Sequence, residues 1–163
     1  LLLLTASCQQ SRPLEFVNIS FTPSVSTDHY ATWDFDLPAC RDIDDPRVDS
    51  EFIRWHMLQA IEEGLRDRGY ERKDLAAVDF TVAYELTLLD GGDSPASGGP
   101  ERSRGRIFLR DTATGRQVWA GERKAPTHGE LSAEEQALRI RAFALELLQH
   151  TYKLQPDRLA QGR

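Results

Sequence analysis

With only two cysteines among 163 residues, the chain has neither a disulfide framework nor a thiolate cluster to hold it together. It needs none, because a chain of this size buries roughly 70% of its unfolded surface, enough for a conventional core. Positive charge is also in short supply. Twenty Lys and Arg stand against 26 Asp and Glu, a net charge of −6, and along the chain the arginines alternate with acids instead of gathering in one stripe. Such a balance attracts phosphates poorly, which excludes nucleic acid as the expected partner. Past the first few residues no stretch approaches the ~20 apolar residues of a membrane-crossing helix.

The motifs of catalysis are missing as well. There is no G-x-S-x-G elbow to activate a serine, and His29, His56, His128 and His150 stand apart, without H-E-x-x-H or Cys/His spacing. The glycine pairs Gly91-Gly92 and Gly98-Gly99 lack the following lysine and helix that would cradle a phosphate. Paired acids such as Glu62-Glu63 and Glu134-Glu135 fall on expected helices, where a solvated face accounts for them. Four aspartates, Asp42, Asp44, Asp45 and Asp49, lack the glycine and terminal glutamate of a calcium loop and are better explained as helix-capping groups. The expectation is a protein that is not an enzyme and that requires neither metal nor cofactor.

What the chain does have begins at its N-terminus. Residues 1–8 read LLLLTASC, an apolar run and then small side chains before a cysteine, the requirement of a secretory cleavage site. The junction resembles the bacterial lipobox, which implies a thioether-linked diacylglycerol on Cys8 and palmitate-type acyl chains that hold the protein at a bilayer. Each buried methylene contributes about 0.8 kcal/mol, so two or more chains anchor stably where one does not. Residues 1–7 are then a signal-peptide remnant, 8–13 a lipidated tether, 14–154 a single domain and 155–163 a flexible tail. Gln9, in place of an aspartate after the cysteine, resembles the sorting signal of outer-membrane lipoproteins facing the periplasm. With Cys8 acylated, Cys40 has no partner and is expected to be an inert, half-buried thiol.

Within the domain, periodicity predicts an α+β fold: two layers, a mostly antiparallel sheet of four to five strands, and two helices packed on one face. LEFVNISFT changes parity at Val17 and Asn18, which predicts a bulged strand. YATWDF places Ala31, Trp33 and Phe35 on one side of a second strand. A helix over 50–68 carries the stripe Ile53, Met57, Ala60, Ile61, Gly64 and Leu65, capped by Asp49 or Ser50 and ended by Gly69, with Trp55 and His56 at the stripe's edges. Strict alternation from Val78 to Leu88 predicts a strand that is apolar on one side and wet on the other. Residues 90–103 form an expected mobile excursion, and 105–111 with 117–122 an expected hairpin around Gly115. A second helix begins at Ser132 with a capping box to Glu135 and carries Leu138, Ala142, Leu145, Leu148 and Tyr152, widened by Phe143 and Leu147.

In this order, Tyr30-Ala31-Thr32-Trp33, Ile61, Leu65, Gly69-Tyr70, Asp79, Val82, Tyr84, Gly105, Asp111, Val118-Trp119 and Gly121 resemble the bacterial lipoprotein family called domain of unknown function 4136. The resemblance implies an envelope lipoprotein with a sheet and two helices, and it carries no catalytic residue. The functional expectation is a membrane-anchored, non-catalytic protein that binds or scaffolds another envelope component through its wet sheet face, with Thr81 and Glu85 as the possible partner surface, or through the loop from Asp90 to Ser103. The alternative is a carrier whose aromatics, Trp33, Tyr84 and Trp119, enclose an apolar ligand or lipid between sheet and helices.

Overall fold

The computed structural model describes residues 17–22, 27–46, 48–74, 77–89, 102–126 and 131–154. Cys8, the tether, the loop 90–101 and the tail 155–163 lie outside them. Among the described residues six strands form one sheet: β1 (Val17–Phe21), β2 (Thr32–Phe35), β3 (Glu71–Arg72), β4 (Phe80–Leu89), β5 (Arg102–Asp111) and β6 (Gln117–Pro126). The spatial order is β1-β6-β5-β4-β2-β3. Two helices, α1 (Ser50–Arg66) and α2 (Ala133–Leu148), pack on each other and on the sheet.

The α+β class is as expected, but the sheet is larger and mixed. β1, β6, β5 and β4 pair antiparallel, whereas β2 runs parallel to both β4 and β3. The cause is α1. A helix between two strands returns the chain to the end where it started, so the next strand is laid down parallel. β3, two residues long, has no sequence pattern to announce it.

Helix α1 follows its stripe: Met57, Ala60, Ile61, Gly64 and Leu65 are buried, and Ile53 packs against them. The Asp49 side chain accepts the Phe52 amide at 3.0 Å, while Ser50 is spent on the Ile43 carbonyl. Gly69, at φ 83°, ends the helix, and the Tyr70 amide closes back on the Leu65 carbonyl at 3.1 Å. In α2 the capping box of Ser132 and Glu135 is present, but the buried face is rotated from the expected stripe. Ala144, Leu147 and Leu148 are buried and Ile140 and Phe143 pack beside them, whereas Leu138 is 58% exposed and Ala142 faces water. Arg141 forks onto Glu63, with Nε to Oε2 at 2.9 Å, and ties the two helices together.

Close approach explains three glycines. A Cβ on Gly64 would stand 2.7 Å from Leu148 Cδ1, one on Gly105 would fall into the Phe143 ring, and one on Gly121 would meet the Trp119 ring at 2.7 Å. The bulge expected in the first strand is absent from its described part, where β1 pairs with β6 in unbroken register from Val17 to Phe21. The register shift lies between Leu109 and Arg110 on the β5–β6 pair instead.

One end of the sheet is held by two carboxylates. Asp79 Oδ2 accepts the Ala31 and Thr32 amides at 2.8 Å each and the Thr32 hydroxyl at 2.9 Å, and so binds the start of β2 to the start of β4. Asp111, 4% exposed, accepts the buried Tyr30 hydroxyl at 2.6 Å and, from Thr114 in the β5–β6 turn, the amide at 2.7 Å and the hydroxyl at 2.6 Å. Gly115, at φ 67°, completes that turn. Burial alone would raise the Asp79 carboxyl, but the bonds from Ala31 and Thr32 outweigh it and hold it below the ordinary carboxylate value. The Thr114 and Tyr30 side chains do the same for Asp111.

Because both folded values are depressed, the unfolded chain takes up protons first as pH falls. The stability these groups contribute is complete above the ordinary carboxyl value of about 3.9 and drains away below it. The melting temperature should therefore fall steeply below about pH 4, and Asp79→Asn should flatten that dependence in a thermal-melt series. Asp111→Ala, which removes the carboxylate that accepts the buried Tyr30 hydroxyl and both Thr114 donors, should cost about 1–3 kcal/mol by denaturant titration. Gly105→Ala should cost a similar ~1–3 kcal/mol through overpacking. Adding Phe143→Leu should restore part of it, which a double-mutant cycle would measure as coupling.

Candidate functional site

The helices cover one face of the sheet, and the other is the candidate partner surface. Along β4 the side chains of Phe80, Val82, Tyr84 and Leu86 share the covered side, while Thr81, Ala83, Glu85 and Thr87 share the open one. Both predicted residues are thus on one strand and one face, four positions apart, about 13 Å by strand rise. Thr81 lies opposite Arg110 and Glu85 opposite Arg106.

The open face is not uniformly wet. At its centre Phe108 is only 6% exposed, lying between Ala83 on β4 and Ala120 on β6, both buried. The guanidinium of Arg106 sits 5.4 Å and that of Arg110 5.9 Å from the Phe108 ring centroid. Two small neighbours leave room for the ring to lie down, and two cations close it from water. Arg106 reaches Gln117 Oε1 at 2.7 Å and Glu85 at 3.5 Å, and Arg110 reaches Asp36 at 3.3 Å. Alternation alone places Phe108 opposite in sense to Ile107 and Leu109, which was the available signal for it. The fold also lines Arg104, Arg106 and Arg110 along one side of β5, a grouping already visible in the linear sequence, where no acid falls between Arg102 and Arg110.

One row in from the far end on this face, Thr87, Arg104 and Lys124 set two cations directly opposite each other across β5 and β6. Both are exposed, and neither side chain has an ion pair or hydrogen bond among the described residues.

The aromatic trio considered for a carrier is embedded in the core. Trp33, Tyr84 and Trp119 are at most 1% exposed. Trp33 and Tyr84 stand on neighbouring strands, but β5 separates Tyr84 from Trp119. The Tyr84 hydroxyl is engaged by Asp42, which also meets Arg54 at 3.3 Å. Both indole Nε1 groups lack a hydrogen-bond partner among the described residues. Cys40 is buried beside the Asp36 carbonyl, and burial pushes its thiol up. His56 meets Phe52 and Trp55 edge to face on α1. Among the described residues no three His, Cys, Asp or Glu side chains are placed to hold a metal ion.

No family model matches the chain. No curated protein matches it either. Solved structures do. A PDZ domain protein from Parabacteroides distasonis superposes at a TM-score of 0.60 and 14% identity over 85% of this chain and 36% of that one. This chain therefore spans about a third of that protein's length. A PelC dodecamer from Paraburkholderia phytofirmans gives a TM-score of 0.47 and 12% identity, covering 83% of this chain and 98% of that one. A DUF4136 family protein from Bacteroides thetaiotaomicron gives 0.48 and 12%, covering 85% and 94%. At 14% identity the likeness to the first of these is one of fold, and a member of the family whose residues the sequence resembles stands among the structural neighbours.

Proposed function

We propose that the chain is a non-catalytic lipoprotein of the bacterial cell envelope, held at a membrane through acyl chains on Cys8, that binds or scaffolds another envelope protein through its open sheet face. The observation that carries the partner surface is the arrangement around Phe108, an aromatic ring roofed by Arg106 and Arg110 on the face the helices leave bare. Rings and arginines are the residues enriched where protein interfaces concentrate their binding energy. Small movements of two side chains would uncover that ring to a partner. The anchor rests on the LLLLTASC junction. An outer-membrane location facing the periplasm follows the resemblance at Gln9. No helix among the described residues is long and apolar enough to cross a bilayer.

Two measurements test this. Cells fed an alkyne fatty acid should label the full gene product, and Cys8→Ser should lose the label and move the protein from the membrane to the soluble fraction; retained label would refute the anchor. A photocrosslinking residue placed at Thr81 or Glu85 should trap one defined envelope protein, and Phe108→Ala should reduce the yield. Equal trapping from an exposed α1 position such as Glu51 would sink the open-face assignment.

A further inference from the structure

The end of the sheet that faces the anchor is marked by the pairing of β1. Val17, where the described chain starts, lies opposite Arg123. Lys124 is the next residue, and Arg104 stands across from it. Nine positions separate Cys8 from Val17, a reach of at most about 30 Å when fully extended. Whatever holds Cys8 therefore holds this end of the domain within that distance.

At the same end the charge is divided between the layers. Cations Arg104 and Lys124 occupy the open face, whereas the first turns of the helices carry Glu51, Glu134 and Glu135. Glu122 and Glu85 lie one row further in, the latter on Arg106. Like charges directly opposite on neighbouring strands oppose the fold. Arg104 and Lys124 nonetheless face each other, and neither is ion-paired among the described residues, which leaves both free to meet an outside anion.

We propose that the Thr87–Arg104–Lys124 row is the edge by which the tethered domain meets the anionic phospholipid headgroups of its own bilayer. The inference rests on the lipid-anchor reading. The acyl chains hold the domain at the surface despite its net negative charge, and the row selects which side leans down. Screening confines surface attraction to about 8 Å at physiological salt, so cations at this end count while charges at the far end do not. Glu51, Glu134 and Glu135 are repelled by the same headgroups and turn the helix layer away. The Thr81 row, six positions further along β4, is left free for a protein partner.

A chemical tether separates this proposal from acylation in cells. The chain from Cys8 onward is coupled through the Cys8 thiol to a maleimide lipid in vesicles, since burial and a raised pKa protect Cys40. A brief pulse of an amine-acetylating reagent is then read by mass spectrometry at Lys124 and at Lys73, which follows β3 at the opposite end of the sheet. On vesicles with about 30% phosphatidylglycerol, Lys124 acetylation relative to Lys73 should fall about threefold or more compared with pure phosphatidylcholine. The difference should vanish at about 0.5 M salt and shrink in Arg104→Gln. An equal ratio on both vesicle types, or a fall that survives high salt and Arg104→Gln alike, would overturn the proposal. Loss of fatty-acid labelling in cells would overturn the anchor alone.

Discussion

The sheet depends on one carboxylate. Asp79 collects both amides and the hydroxyl at the start of β2 and binds them to the start of β4, so that two strands separated by a whole helix enter the sheet in register. Nothing local could do this, because a parallel neighbour is always distant in sequence and its pairing carries a loop-closure cost. Asp111 extends the same device by one strand, joining Tyr30 to the β5–β6 turn through Thr114. These positions are among those that resemble the lipoprotein family, and their role here is architectural. Tyr30, Thr32, Asp79 and Asp111 are a latch that joins β2, β4 and the β5–β6 turn.

With that end fixed, the two faces of the sheet take different tasks. The covered face buries Trp33, Phe80, Val82, Tyr84, Ile107, Leu109 and Trp119 under the helices, and the glycines at 105 and 121 admit Phe143 and the Trp119 ring. The open face carries one apolar centre, Phe108, and around it a lattice of arginines and acids. An aromatic side chain in that position would be costly in contact with water. Alanines on both sides and guanidiniums above reduce its exposure without a second layer of structure.

Much of this was legible before any coordinates. The α1 stripe, the cap at Asp49, Gly69 as a helix terminator, the capping box of α2 and the alternation of β4 each follow from short-range rules, and each is where those rules put it. What escaped was non-local or ambiguous. The α2 sequence offers two overlapping apolar stripes, and packing against α1 and Gly105 chose the one through Phe143 and Leu147 over the one through Leu138. β5 and β6 run longer than expected because Arg104 and Lys124 look like loop residues until alternation is followed across a wet face. The parallel pairing of β2 was implied by the helix after it, but the strand order was not.

The position of β1 at the edge of the sheet, on β6, bears on how the molecule is made. Among the described residues β1 has its backbone partner about a hundred residues later, and contacts of such long range close late. Until β6 exists, β1 waits for that partner. A polypeptide made head first thus cannot lock this strand before most of the sheet is present.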